Sequence, residues 1–206
     1  MFSRVGLSEV FVFVFFECVL ARSLHNSTTC ELFERDASFD PHEVVDSKWK
    51  IFYFWSDNTE RNAIVFSLLT KKSLGKFREV VEAIEPSLSV EWHKASFLME
   101  PRPGVQVLLL YAGTSGAFRG LVKMEQRKKA RPNPEPLIKF ADLRLKMKGR
   151  YIGMMCCEDL TAFAMARVGE LPETEEDCIA AAASLDLQGP GGRSHLFLNN
   201  LRRSEL

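Results

Sequence analysis

Across residues 48–168 apolar and polar side chains alternate with a period of two, the repeat of a β-strand, and helical spacing is scarce. Trp49, Ile51, Tyr53 and Trp55 alternate with Lys50, Phe52 and Phe54, and Ile64, Phe66 and Leu68 with Val65, Ser67 and Leu69. Leu88, Val90 and Trp92 alternate with Ser89, Glu91 and His93, and Val105, Val107, Leu109 and Tyr111 with Gln106, Leu108 and Leu110. Further strand candidates are 76–84, 120–126, 137–148, 151–157 and 160–168. Gly75, Pro86, the Pro-Arg-Pro-Gly run 101–104, Gly113, Gly116, Gly149 and the pair Glu158-Asp159 punctuate them. About eight or nine strands therefore follow one another with hairpin-length links, and an antiparallel meander is the economical topology.

Several of these strands are apolar or mixed on both faces, among them 153–157 (GMMCC) and 162–165 (AFAM). A sheet closed on itself leaves no edges and needs an apolar inner face. Apolar residues on the outer face as well require cover from outside. A helix supplies it: Thr174 is a good N-cap with Glu175, Glu176 and Asp177 in the first turn, and the run 175–187 puts Cys178, Ala182 and Leu185 on one face before Gly189-Pro190 stops it. The expected fold is all-β, an eight-stranded antiparallel up-and-down barrel with one C-terminal α-helix packed outside. Residues 39–45 read as a short 3₁₀ turn leading to Trp49 and closing one barrel end. Residues 189–206 read as a loosely held tail.

The N-terminus alters this picture only in where the fold begins. Residues 10–21 (VFVFVFFECVLA) follow Arg4 and end in small residues, the pattern of a secretory signal peptide. The run is well short of the roughly 20 residues that span a bilayer. Cleavage is expected after Ala21, giving a signal peptide 1–21, an N-terminal arm 22–38, a barrel plus helix 39–188 and the flexible tail 189–206. With 27 basic and 27 acidic residues the chain is near neutral, so no global field draws it to nucleic acid or anionic lipid. The basic run 127–131 precedes three prolines and reads as a solvated loop. Cys30, Cys156, Cys157 and Cys178 would enter an oxidising compartment, where two disulfides with three possible connectivities are expected. Asn26-Ser27-Thr28 is an N-glycosylation sequon that export would make usable.

The order of these features resembles the lipocalin family. Ser47-Lys48-Trp49 stands where lipocalins carry Gly-x-Trp at the start of the first strand. Lys148-Gly149-Arg150-Tyr151 stands where many carry Thr-Asp-Tyr before the seventh, and 162–167 (AFAMAR) where the last strand ends in arginine. The resemblance covers roughly residues 39–188; Ser47 and Arg150 depart from the pattern. It implies that Trp49 and Arg167 meet at the closed end, the guanidinium over the indole. It is nearest in kind to divergent arthropod lipocalins of the salivary or haemolymph type. By that likeness Cys30 pairs with Cys156 or Cys157, of which only one faces outward.

No catalytic constellation appears. Gly-x-Ser-x-Gly is absent, 113–116 (GTSG) lacks the Gly-Lys-Ser/Thr of a phosphate loop, and no Cys or His pair has zinc spacing, so neither an enzyme nor a bound metal or cofactor is expected. His93 is weighed as a haem ligand; sharing a strand face with Glu91, it reads as an exposed histidine. By parity the expected ligand lining is Tyr53, Phe66, Leu68, Val90, Trp92, Val107, Leu109 and Tyr111. Such a lining suits a small hydrophobic partner, a lipid, sterol, pigment or odorant. A biogenic amine would need interior carboxylates, with Glu79, Glu82, Glu91 and Asp142 as candidates; a bulge at the rim would explain Asp142 within its apolar strand. The expected function is that of a secreted, extracellular carrier or scavenger, with no nucleic acid and no membrane insertion. The alternative is a scaffold that inhibits a host or receptor protein. A cavity inside the barrel would favour the first and a packed interior the second.

Overall fold

In the computed structural model, which describes residues 28–56, 62–125 and 136–197, eight antiparallel strands close into a barrel. They are β1 (Lys48–Trp55), β2 (Ile64–Leu68), β3 (Ala95–Arg102), β4 (Val105–Tyr111), β5 (Ala117–Met124), β6 (Leu137–Lys148), β7 (Tyr151–Cys156) and β8 (Thr161–Arg167). Each pairs with the next, β8 returns to β1, and β1 meets β2 through Lys48 and Trp49, closing the ring. Among the described residues four α-helices accompany them: α1 (Cys30–Glu34), α2 (Pro41–Val44), α3 (Lys71–Ile84) and α4 (Glu175–Ser184). The arrangement is a lipocalin-like barrel with a helix outside the wall.

Three hydrophobic clusters divide the molecule. The first fills the barrel and includes Trp49, Ile51, Phe54, Ile64, Phe66, Phe97, Leu109, Phe118, Leu145, Ile152 and Met165. The second lies outside β1, β7 and β8, where α4 packs Cys178, Ala181 and Ala182 against Phe52, Tyr53, Met155 and the small row Ala162, Ala164 and Ala166. The third lies outside β3 to β6, where Phe77 and Val81 of α3 cover Leu108, Leu110 and Leu121.

The third cluster corrects the reading of residues 76–92. The stretch 76–84 is not a strand. Thr70 and Ser73 form a reciprocal capping box, and Leu74, Phe77 and Val81 recur at helical spacing, so the segment forms α3. Residues 88–92 are not a strand either. They run as a loop into a 3₁₀ turn, Trp92–Lys94, and Leu88, Val90 and Trp92 pack on the outer face of the sheet. The alternation there arises because a loop, too, must bury apolar side chains against an apolar wall.

The segment before β1 seals one end of the barrel. Residues 41–44 form a single turn of α-helix rather than the expected 3₁₀ turn, capped by the Asp40 carboxylate, which accepts from His42 N–H. Phe39 enters the interior and stacks on Phe97 at 5.6 Å. Trp49 Nε1 donates to the Val44 carbonyl at 2.9 Å, and the Arg167 guanidinium lies 4.8 Å over the same indole and donates to the Glu43 carbonyl. The structure thus places Trp49 and Arg167 together at the closed end.

Outside, α1 is fastened to β6 and β7. Cys30 and Cys157 form a disulfide, Arg144 donates to Glu34 at 2.7 Å, and buried Lys146 donates to the Arg35 carbonyl and to Asp186. Gly153 of β7 permits this approach, since a Cβ there would lie 2.9 Å from the Phe33 ring. One bridge forms, not two: Cys156 packs against the barrel interior and Cys178 lies outside beneath α4, so the wall separates the remaining thiols. The segment after α4 is also not loosely held at its start. Arg193–Ser194, here β9, pairs with Tyr53 and Phe54 of β1, Trp55 Nε1 donates to the Gly189 carbonyl, and Ser194 is fully buried with its hydroxyl on Glu175. The presumed signal peptide and Asn26 lie outside the described residues.

Candidate functional site

The barrel interior is most completely buried around its middle and lower half, with Phe39 at 8% and Val45 and Met147 half-buried at the closed end itself. Around its lower half Trp49, Phe97, Leu109, Leu145, Ile152 and Met165 are 0% exposed. Towards the other end, where β5 meets β6 and β7 turns into β8, Val122 and Met154 rise to 8% and Ala141 to 9%, and Met124, Cys156 and Phe163 are half-buried. The inner face remains apolar throughout this gradient. The mid-barrel is tight: Gly120 projects inward, and a Cβ there would meet Leu143 at 2.9 Å and Val107 at 3.0 Å. The apolar face at this end, here called the mouth, is therefore partly exposed over a floor of interlocked side chains. A recess of about 10 Å³ near Thr28, Trp55, Leu160 and Gln188 lies on the outside and is at the lower limit for one water.

The β5–β6 hairpin overhangs this mouth. β6 pairs with β7 only from Leu143 onward, so its first residues rise above the rim with β5 on one side alone. The register through β6 is continuous, with Ala141, Leu143, Leu145 and Met147 inward. The same parity turns Leu137 and Lys139 inward, opposite Met124 and Val122. Leu137 is 47% exposed. Asp142 falls on the outward parity opposite Arg119, with no bulge.

The expected lining divides into three groups. Phe66, Val107 and Leu109 lie inside the barrel. Tyr53, Val90 and Trp92 lie outside it. For Tyr53 the cause is a bulge in β1: Ile51 pairs with Met165 and Tyr53 with Ala164, so Phe52 is supernumerary, both it and Tyr53 face outward, and Phe54 takes the inward place. Burial there, with Glu175 and Cys178 nearby, holds the Tyr53 phenol above its usual range. Leu68 and Tyr111, 46% and 43% exposed, stand at strand ends clear of the mouth. Phe54, Met124, Leu137, Lys139, Met154 and Phe163 were not anticipated. The alternation of 141–148 carries a signal for Leu137 and Lys139, while a bulge gives none for Phe54.

Among the described residues the mouth holds one free thiol, Cys156. Burial pushes the Cys156 thiol up to about 12, with the Asp159 carboxylate adding to the rise, so it stays protonated. Asp159 itself is engaged in its own turn, accepting from the Thr161 N–H and hydroxyl. His93 is exposed on the 3₁₀ turn outside the barrel. Glu79, Glu82 and Glu91 are likewise exposed, on α3 and the loop after it. Among the described residues no three His, Cys, Asp or Glu side chains are grouped to hold a metal, and no helix is long and apolar enough to cross a membrane. Comparison of the chain with protein-family models, with curated proteins and with solved structures finds no match.

Proposed function

We propose that the chain is a secreted lipocalin that holds a small, mainly apolar molecule at the open end of its barrel and carries or sequesters it without chemical change. The observation that carries this reading is the one-sided opening of an apolar interior: sealed by Trp49, Phe39 and Arg167 below, accessible past Phe163, Met124 and Met154 above. A water-excluding surface of this kind favours hydrocarbon, at about 25 cal/mol for each Å² of apolar area removed from water. The Trp49–Arg167 stack and the Cys30–Cys157 bridge support kinship with arthropod lipocalins. The apolar run 10–21, the disulfide and the sequon at Asn26 support export and glycosylation.

A second reading, a barrel scaffold that inhibits a protein partner through its loops, is favoured by one observation. The interior is occupied by the chain's own side chains, so closely that a Cβ at Gly120 in mid-barrel would collide with Leu143 and Val107. Native mass spectrometry of the chain secreted from eukaryotic cells, followed by extraction, separates the two. A stoichiometric lipid-, sterol- or pigment-sized adduct supports the carrier. A bare mass that a panel of hydrophobic ligands leaves unchanged eliminates the carrier and directs the search to protein partners.

A further inference from the structure

We infer that folding closes the Asn26 sequon: Thr28, its third residue, is built into the junction between the N-terminal arm and the end of α4, so a sugar is added before that junction forms or not at all. The inference rests on the export and glycosylation reading above and concerns when that site is open. The motif demands Ser or Thr at its third place, so the transferring enzyme reads a hydroxyl there. A hydroxyl has one hydrogen to give and lone pairs with which to receive. In the folded chain Thr28 uses both capacities. Its Oγ1 donates to the Asp186 carbonyl and accepts from the Gln188 N–H at 3.1 Å. The Thr28 N–H donates to the Gln188 carbonyl at 3.3 Å, so the main chain is pinned as well.

Both sides of this junction are anchored from elsewhere. Asp186 takes the left-handed conformation, φ 60°, and the Leu187 N–H returns to the Ala182 carbonyl, which ends α4. The Asp186 carboxylate accepts from Lys146, 4% exposed, which also donates to the Arg35 carbonyl of the arm. On the arm side Thr29 caps α1, Phe33 is buried against Gly153, and Cys30 is bonded to Cys157. Thr28 itself lies beside Trp55, Leu160 and Leu187. An enzyme that must hold all three sequon residues has first to pull the arm from the wall. The transfer joins the Asn26 side-chain nitrogen to C1 of an oligosaccharide carried on a lipid pyrophosphate. The C1–O bond breaks, the pyrophosphate leaves with its electron pair, and the amide gives up a proton. The Thr28 hydroxyl is not consumed, so one oxygen serves the enzyme first and the fold afterwards. Asp186 lies 158 positions beyond Thr28, so the sequon is complete well before the partner that closes it.

The test presents the full mature chain, made without glycan and with its disulfide formed, to solubilised oligosaccharyltransferase and lipid-linked oligosaccharide, with mass as the readout. The same chain, reduced and carboxymethylated so that it stays unfolded, is the comparison. The unfolded chain is expected to gain one glycan. The folded chain should react at least about tenfold more slowly, because it is an acceptor only during local opening. Cys30→Ser loosens the arm without touching Thr28 or its partners, and in the folded state it should be modified faster than the folded wild type. Equal rates for folded and unfolded wild type, or a folded Cys30→Ser no faster than wild type, overturn the closure. In that event a glycan on the unfolded chain leaves the glycosylation reading standing. A glycan on neither form removes both. Should Cys30→Ser fail to fold, the wild-type comparison decides alone.

Discussion

The two ends of the barrel are built from the same kinds of side chain yet differ in how completely they are used. At the closed end Trp49 satisfies its indole N–H on Val44, stacks under Arg167 and is 0% exposed, while Phe39 packs on both Phe97 and Phe118. At the open end Phe163, Met124 and Cys156 are just as apolar but half-buried, and Leu137 extends above the rim. Burial that is complete stabilises the fold. Burial that is left incomplete leaves apolar surface in contact with water. On the carrier reading proposed above, the contrast would place stability at the floor and recognition at the mouth.

Three measurements can break or sharpen that contrast. The largest effect is expected in the reactivity of Cys156. Burial in the mouth raises its pKa from 9.0 to about 12, so near pH 8 its thiolate population falls about a thousandfold below that of an ordinary thiol. Alkylation of the folded chain with iodoacetamide should be slower in proportion, and its thiol should stay neutral until strongly alkaline pH. Ionisation favours the unfolded state above pH 9.0, so the stability held by this thiol is lost between there and about 12. Rapid labelling at Cys156 would mean a wet mouth. Next, Trp49→Ala should cost about 3–5 kcal/mol in urea denaturation, the usual penalty for deleting a fully buried large aromatic. Smallest is Leu137→Ser, expected to shift stability by no more than about 0.5 kcal/mol as an exposed substitution does. A Leu137→Ser cost approaching that of Trp49→Ala would erase the division between the two ends.

Much of the architecture was legible from periodicity. Residues 105–111, 137–148, 151–157 and 160–168 form strands close to the expected places, the run 175–187 contains α4, and Trp49 meets Arg167. What failed had local causes. In residues 71–84 the period of two competed with helical spacing, and the capping pair Thr70–Ser73 decided for the helix. Val90 and Trp92 alternate like a strand, but a loop lying on an apolar wall buries residues in the same rhythm. At Tyr53 a single supernumerary residue reversed the two faces, which no composition reveals. Lys139 was readable in principle, because inward parity runs unbroken from Met147 back to Leu137. An exposed lysine at a strand end carries no sign by itself of the mouth it overhangs.

The bridge between Cys30 and Cys157, separated by 127 positions, turns most of the chain into a covalent ring. That ring contains β1 to β7, whereas β8, α4 and β9 lie outside it. On a ribosome, Cys157 emerges after all the strands that precede it, so oxidation can occur only once seven-eighths of the wall has been translated. The bond then acts as a record of assembly, formed only when the opening helix has found the far side of a nearly finished barrel. A single proteolytic cut anywhere within the ring would leave the molecule in one piece until it was reduced.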